Sequence, residues 1–261
     1  MPNFYWDEQL MISDGVTPTI LAIGDSWFWY PFLGGSLINN LGPVVAPRGH
    51  SILAKGMNGA EAGQYVHGPH ADQFRETLRK YGASAAAVLV SGGGNDFAGF
   101  NDLRPLLKAS CRDETTAPGC FRDSPGGLAA FIDTLERDYR DLVGIVHART
   151  GPGCHVVMHT YAYAIPDGRG VFGDHNWLRP ALLDAGVRPE LHRACIRYLL
   201  DTFADMLLRV AASDPAHFHV VDSRKTLLDA DWANELHPTP AGFRKLANGP
   251  WRETLRPLGL A

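Results

Sequence analysis

Short apolar runs recur along the 261-residue chain and alternate with longer segments in which apolar residues return every three to four positions. The runs predict strands at residues 19–23, 51–53, 86–91, 155–159 and 217–221. The longer segments predict amphipathic helices at residues 32–40, 71–80, 128–149 and 189–212, with a last helix after Thr239. Strands that alternate with helices are typical of a parallel sheet covered on both faces. The pattern therefore predicts an α/β fold.

Two of the predicted connections are long, at residues 97–127 and 161–188. Long ordered loops in a compact domain are often functional. In open parallel sheets, ligands bind outside the carboxyl ends of the strands. The sequence contains no internal repeat and no low-complexity linker, and its length suits one large α/β domain. We therefore expect a single domain over residues 1–261, with its site where the strands end.

Composition and charge exclude several classes of function. The formal net charge of −4 at pH 7 gives no electrostatic footprint for nucleic acid. No apolar run reaches the ~18 residues that a transmembrane segment needs. The first residues, MPNFYWDEQLMISDG, are acidic and lack the basic start of a signal peptide. We therefore expect a cytoplasmic enzyme whose partner is a small molecule.

The cysteines and histidines do not form a recognisable scaffold or metal motif. Four cysteines are too few for a disulfide framework. Cys154 and Cys195 are expected in the core, whereas Cys111 and Cys120 flank the polar loop CRDETTAPGC and could pair in an oxidising compartment. The scattered histidines, at positions 67, 70, 155, 159 and 175, lack metal-ligand spacing. We therefore expect no metal site.

The stretch ILAIGDSWFWYP interrupts an apolar strand with Gly24-Asp25-Ser26 and then continues with four aromatic residues. Glycine permits a sharp turn, so Ser26 would stand at the start of the next helix, where the helix dipole stabilises a developing anion. Taken alone, the tripeptide is also explained by Asp25 or Ser26 capping that helix. Some of the aromatic residues are expected in the core, and at least one beside a pocket.

Two later motifs place polar side chains near the same sheet edge. In VLVSGGGNDFAG, Asn95 follows a predicted strand, and its amide could donate to an oxyanion. This run matches neither a Walker loop nor the dinucleotide-binding pattern. In DWANELHPTPAGFRKLA, Thr239 is a good N-cap, so His237 lies on a loop just before a helix, with Asn234 three residues earlier. The chain has no Gly-x-Ser-x-Gly elbow of the common α/β-hydrolases.

Taken together, Gly-Asp-Ser at 24–26, Gly-Gly-Asn-Asp at 93–96 and the NELHP segment resemble the SGNH, or GDSL-type, hydrolases over residues 19–247. The resemblance implies a three-layer α/β/α domain of flavodoxin-like type, with a five-stranded parallel sheet and no cofactor. Position by position, Ser26 is similar to the family's nucleophile and His237 to its general base.

The resemblance also implies an oxyanion hole, made of the Ser26 backbone N–H, the Asn95 side-chain amide and the backbone N–H of a glycine after the second strand. The segment AKGMNGAEAG offers Gly56, Gly59 and Gly63 for the last donor. We select Gly59, because a predicted helical segment follows it at a distance that resembles the family's second motif. Gly56 is the alternative.

One position departs from the family pattern, which usually has Asp three residues before the histidine. Here that residue is Asn234. Its oxygen can accept the ring N–H, but it supplies no negative charge to stabilise an imidazolium. Either Asn234 orients a Ser–His pair, or a carboxylate elsewhere takes the role, with Asp231 and Glu235 as the nearest candidates.

The function that the resemblance implies is hydrolysis of a carboxylic ester through an acyl-enzyme. The aromatic residues after Ser26, together with Tyr161, Tyr163 and Trp177, favour a small apolar or aromatic ester. Three alternatives stay open at this stage: an acyltransferase that uses the same residues, a carbohydrate acetyl-esterase, and a non-catalytic carbohydrate- or lipid-binding module.

Overall fold

The computed structural model describes residues 3–29, 35–171 and 177–261. Their strands are β1 (Phe4–Tyr5), β2 (Ile20–Gly24), β3 (Ile52–Gly56), β4 (Ala87–Ser91), β5 (His155–His159) and β6 (Phe218–Val221). They form one six-stranded sheet in the order β1-β3-β2-β4-β5-β6, and every pairing is parallel. The predicted parallel α/β architecture is confirmed.

Helices cover this sheet on both faces. They are α1 (Glu8–Ser13), α2 (Leu37–Val45), α3 (Ala71–Tyr81), α4 (Asn95–Ala98), α5 (Phe100–Leu103), α6 (Leu128–His147), α7 (Leu178–Asp184), α8 (His192–Ser213), α9 (Pro240–Leu246) and α10 (Arg252–Leu255). Helix α6 packs against α8, and α2 packs against α9. The chain crosses the sheet in one direction from β2 to β3 and in the opposite direction from β3 through β4 and β5 to β6. Because crossovers between parallel strands are right-handed, α2 and α6 lie in opposite layers.

The predicted number of strands was wrong by one. The additional strand, β1, is only two residues long and pairs at the sheet edge with β3, through Phe4 beside Ile52 and Tyr5 beside Leu53. Two residues cannot show an alternating pattern, so this strand was not predictable from the hydrophobic pattern. The other five strands follow the flavodoxin-like order 2-1-3-4-5 when they are numbered from β2.

One helix begins later than predicted. The segment at 32–40 was expected to be helical, but α2 starts at Leu37, and residues 30–34 lie outside the described residues. Ser36 precedes the helix, and its backbone N–H donates to the Asn39 side chain at 2.8 Å, which satisfies a group at the helix start. Within the described residues, this capping interaction at Ser36 marks the start of α2.

The carboxyl ends of β2 and β4 lie unusually close together. A Cβ atom on Gly24 would stand only 2.5 Å from the Ser91 carbonyl oxygen, so no larger residue fits there. Strand order reverses at this pair of strands, which is where open α/β sheets bind their ligands. The residues that follow Gly24 and Ser91 therefore face a common crevice.

All four cysteines are buried free thiols. The two cysteines that could pair in an oxidising compartment, Cys111 and Cys120, are not bonded, and the Cys111 sulfur lies 3.4 Å from the Cys120 carbonyl oxygen. In the part of the chain that the structure describes, no helix is both long and apolar enough to cross a bilayer.

The glycine-rich turn after β4 gives a test of this packing. Gly93 has a φ of +95°, and a Cβ atom there would lie 2.4 Å from the Tyr139 hydroxyl and 2.6 Å from the Phe203 ring. Gly49 also has a positive φ, +77°, but no described atom lies within 4 Å of its added Cβ. In either alanine variant, the left-handed backbone lowers the free energy of unfolding by about 1–2 kcal/mol. Only Gly93→Ala must also displace buried rings, which lowers it by about a further 1–3 kcal/mol.

Urea denaturation should therefore show a larger loss of unfolding free energy for Gly93→Ala than for Gly49→Ala. Equal losses in the two variants would contradict the close packing beneath Gly93.

Candidate active site

Ser26 lies on a tight turn immediately after β2. The backbone N–H groups of Phe28 and Trp29 both donate to the Asp25 carbonyl at 3.1 Å, which closes the turn. The expectation that Ser26 begins a helix is wrong, because residues 26–28 form a turn, and the next helix among the described residues is α2, which starts at Leu37. The half-buried Ser26 side chain is thus presented by a turn.

The carboxylate of Asp25 is fully buried beneath this turn and accepts three hydrogen bonds from different parts of the chain. The donors are the Trp27 backbone N–H at 2.9 Å, the Ser91 hydroxyl at 2.7 Å and the Tyr161 hydroxyl at 2.5 Å. Burial raises the pKa of Asp25, while the three donors act in the opposite direction. Asp25 is therefore a bracing residue that fixes the turn from below.

These donors belong to a closed network in which each proton can be assigned. Ser91 donates to Asp25, so its oxygen must accept from Nε2 of His159 at 2.9 Å. The Nδ1 atom of His159 is then free to accept the Tyr161 backbone N–H at 3.3 Å. Burial lowers the pKa of His159 to about 3, which agrees with a neutral ring. Consecutive hydrogen bonds in a buried network of this kind strengthen one another.

Tyr161 closes this network with a backbone conformation that is rare for a side-chain-bearing residue. Its φ is +58°. Its ring also packs against Gly94, where an added Cβ atom would lie 2.9 Å from Cζ of Tyr161. Tyr161 therefore connects the turn that carries Ser26 with the turn that carries Asn95.

His237 reaches Ser26 from the far end of the sequence. Its Nε2 atom lies 2.8 Å from the Ser26 hydroxyl oxygen. The residue sits on a loop before α9, where the Thr239 side chain accepts the Gly242 N–H at 3.1 Å, as the sequence predicted for an N-cap. The loop is also tied to the serine turn, because the Trp27 indole N–H donates to the Leu236 carbonyl at 2.9 Å.

The Asn234 side chain determines which ring nitrogen of His237 carries the proton. One Asn234 atom accepts the backbone N–H groups of Leu236 at 3.0 Å and His237 at 2.8 Å, so this atom must be the amide oxygen. The same oxygen lies 3.0 Å from Nδ1 of His237, which must therefore be the protonated nitrogen. The lone pair of Nε2 then points toward Ser26.

The two rival carboxylates are engaged elsewhere. Asp231 accepts two contacts from the Lys245 ammonium, at 2.7 and 2.8 Å. Glu235 is buried and accepts the backbone N–H groups of Gly168, Leu178 and Arg179 at 2.9 to 3.1 Å, which caps α7. Burial of the His237 ring lowers its pKa to about 4. Burial disfavours the charged form of a histidine, so His237 is neutral at neutral pH.

Asn95 is the first residue of α4 and lines the same cavity as Ser26. Its side-chain NH₂ donates to the Ala60 carbonyl at 3.0 Å. Beside it, the Asp96 carboxylate accepts the Ala62 N–H at 2.9 Å, and burial raises the pKa of Asp96 to about 7. These two contacts hold the segment after β3 against the Asn95 turn. Sequence analysis missed this role of Asp96, although the Asn-Asp pair was visible.

The two glycine candidates for an oxyanion donor occupy different places. Gly59 lies in an exposed turn with a φ of +78°, directly before Ala60, which accepts from Asn95. Gly56 pairs with Gly24 inside the sheet, and an added Cβ atom would stand 2.7 Å from Cβ of Trp29. Gly59 is thus next in sequence to the residue that contacts Asn95.

The cavity beside Ser26 is largely apolar and contains about 470 Å³ of atom-free space, part of it open to solvent. The larger apolar side chains of its walls include Trp27, Phe97, Tyr161, Leu178, Leu200 and Trp232. Of the aromatic residues after Ser26, Trp27 lines this cavity, Phe28 is buried in the core, Trp29 is 38% exposed and Tyr30 lies outside the described residues. The Trp177 ring lies 6.0 Å from that of His237.

The sequence of residues 22–245 matches the model of the GDSL-like lipase/acylhydrolase family. The chain belongs to this family. It is thereby an SGNH-type hydrolase of the esterase and lipase kind, and its three-layer fold is the one expected for the family. No curated protein sequence matches the chain significantly.

Solved structures share the fold at low sequence identity. A Parabacteroides merdae protein assigned to the GDSL-like lipases is 16% identical, with a TM-score of 0.59 over 94% of this chain and 98% of the other. The extracellular lipase of Streptomyces rimosus is 19% identical, with a TM-score of 0.56 over 91% and 100%. Phospholipase A1 of Streptomyces albidoflavus NA297 is 18% identical, with a TM-score of 0.54 over 93% and 99%.

The protonation state of His237 in this GDSL-type protein can be measured directly. We expect a neutral ring with its proton on Nδ1 at pH 6, titrating near pH 4, because burial opposes the charged form. In Asn234→Asp, the new carboxylate should raise the His237 pKa by about one to three pH units. Long-range ¹H–¹⁵N NMR spectra recorded over a pH series would show both values.

Asn234→Ala is the control, since it removes the acceptor without adding charge, and its His237 pKa should stay low. A ring that titrates near pH 6.5 in the unaltered protein, or one protonated on Nε2, would contradict this account of the site.

Proposed function

We propose that this protein is a serine esterase that cleaves small apolar or aromatic carboxylic esters through an acyl-enzyme. The observation that supports this most strongly is the 2.8 Å contact between Ser26 and the unprotonated nitrogen of His237. A serine hydroxyl is a weak nucleophile, and an adjacent base activates it. Ser26 is the nucleophile in this proposal, His237 the general base and Asn234 the third member.

In the first half of the reaction, the Ser26 oxygen attacks the ester carbonyl carbon while its proton passes to Nε2 of His237. The imidazolium that forms keeps its hydrogen bond to the Asn234 oxygen and then gives the Nε2 proton to the leaving alcohol. In the second half, His237 takes a proton from water, which attacks the acyl-enzyme and releases the acid. Ser26 recovers its proton from His237, so no cofactor enters the cycle.

The tetrahedral oxyanion is held, in this proposal, by the backbone N–H groups of Ser26 and Gly59 and the side-chain NH₂ of Asn95. The contact between Asn95 and the Ala60 carbonyl supports this assignment, because it uses one amide proton and orients the other. Asp96 and Tyr161 are positioning residues for the two turns that carry these donors.

The walls of the cavity support the substrate class. Apolar side chains, among them Phe97 and Leu200, surround the space next to Ser26. Such walls favour an acyl chain or an aromatic ring over a sugar. We further propose that residues 1–261 act as one domain, since a single cluster of buried residues extends from Tyr5 to Leu260.

Labelling tests the nucleophile. A fluorophosphonate should form one adduct on Ser26, located by mass spectrometry, and Ser26→Ala should abolish both labelling and hydrolysis of p-nitrophenyl butyrate. Ser124→Ala, at an exposed serine that does not line the cavity, is the control and should keep both. An adduct on another serine would refute the assignment, and ester formation from an added alcohol in place of hydrolysis would favour an acyltransferase.

Asn95 gives a separate test of the oxyanion hole. Loss of one donor typically lowers turnover about 10²–10³-fold, so Asn95→Ala should lower kcat by that factor while the fluorophosphonate adduct still forms on Ser26. The exposed Asn101→Ala serves as the matched control. An Asn95→Ala enzyme with unchanged kcat would remove Asn95 from the hole.

A further inference from the structure

A second cleft adjoins the Ser26 cavity and carries a different chemistry. It contains about 740 Å³ of atom-free space, part of it open to solvent. Four cationic side chains line it, contributed by α8 and by the segment after β6: Arg193, Arg197, Arg224 and Lys225. We call this the basic cleft. Its concentration of positive charge contrasts with the formal net charge of −4 of the whole chain.

Two of the four cations are already paired with carboxylates. Arg193 makes a bidentate contact with Asp229, at 2.9 and 2.7 Å. Arg224 contacts Asp222 at 2.7 Å and Asp201 at 2.8 Å. These pairs fix the arginine heads, because planar bidentate contacts restrict the guanidinium. They also leave little uncompensated charge on these two residues.

In the described part of the chain, the other two cations form no ion pair, although Asp229, which also lines the cleft, attracts Arg197 at longer range. Within the described ranges, neither Arg197 nor Lys225 has a carboxylate oxygen within 4 Å. The Arg197 guanidinium lies 5.3 Å from the centre of the Tyr163 ring, a cation–π contact that holds it in place. The Tyr163 hydroxyl is itself fixed by Asp201 at 2.7 Å. Arg197 is therefore oriented for a ligand by a neutral contact.

The basic cleft and the Ser26 cavity share two walls, Ala164 and Trp232. Neighbouring faces of α8 serve the two spaces: Ile196 and Leu200 line the apolar cavity, whereas Arg193 and Arg197 line the cleft. A substrate whose ester group lies at Ser26 therefore has apolar side chains around the ester and cationic side chains in the adjoining basic cleft.

We propose that the basic cleft binds an anionic group, a carboxylate or a phosphate, on the ester substrate. The preferred substrate is then an ester whose acid or alcohol part carries a negative charge beyond an apolar segment. Arg197 and Lys225 provide the attraction, and the apolar walls accept the segment between charge and ester. The inference rests on the proposed function, since it assigns a substrate class to the same site.

Two matched pairs of esters test this, one for each side of the scissile bond. On the acid side, mono-4-nitrophenyl adipate is compared with its neutral methyl ester. On the alcohol side, 4-carboxyphenyl butyrate is compared with 4-(methoxycarbonyl)phenyl butyrate. The measured quantity is the ratio of kcat/KM for the charged ester to that for the neutral ester, which cancels general effects of a substitution on the enzyme.

In at least one pair, this ratio should fall about five-fold in Arg197→Gln and in Lys225→Gln, and Arg197→Lys should restore part of it. The size is modest because exposed charges are screened by water, and added NaCl should reduce the ratio of the unaltered enzyme toward that of the variants. Arg209→Gln, on the same helix but outside the cleft, is the charge-matched control and should keep the ratio.

A ratio that both glutamine variants leave unchanged, in both pairs, would overturn the inference. If the unaltered protein hydrolyses no ester, the proposed function fails separately. Equilibrium binding of adipate and 4-hydroxybenzoate, followed by NMR, then tests the cleft. Weaker binding in Arg197→Gln than in Arg209→Gln supports it, and equal or absent binding overturns it.

Discussion

The buried carboxylate of Asp25 is the interaction on which the site geometry depends. It joins the turn after β2 to Ser91 at the end of β4 and to Tyr161 beyond β5. A buried charge is costly unless every lone pair is used, so these three segments cannot separate without exposing an unpaired carboxylate. The position of Ser26 is thus set by the whole central sheet, and His159 completes the network by leaving Ser91 only one direction in which to donate.

Among the described residues, the Asn234 amide oxygen and not a carboxylate contacts Nδ1 of the His237 ring, which changes the electrostatics of the site more than its geometry. In a serine protease, replacement of the triad Asp by Asn costs about 10⁴ in turnover, mainly because the histidine adopts the wrong tautomer. Here two backbone N–H groups fix the orientation of the Asn234 amide, so its oxygen must face Nδ1. The tautomer is therefore kept, and what is lost is the charge that would stabilise the imidazolium. Burial keeps the His237 ring neutral in mildly acidic solution.

Much of the fold was predictable from the sequence because the five long strands are continuous apolar runs, and Ser26, Asn95 and His237 each follow a strand or precede a capped helix. Features that depend on tertiary contacts were not predictable. The helix expected to begin at Ser26 is one example, because residues 26–28 form a turn whose hydrogen bonds return to the Asp25 carbonyl. The cations of the basic cleft come from segments about 30 residues apart, so no basic run appears in the sequence.

Trp27 shows why bulky aromatic residues directly follow the serine turn. Ser26 and His237 are separated by 211 residues, so their contact depends entirely on tertiary packing. The Trp27 indole N–H donates to Leu236, the neighbour of His237, and its ring packs edge-on against Phe243 of α9. The residue next to the serine therefore holds the residue next to the histidine. Because Trp27 also lines the apolar cavity, a group bound there lies against the same side chain that ties the Ser26 turn to the loop of His237.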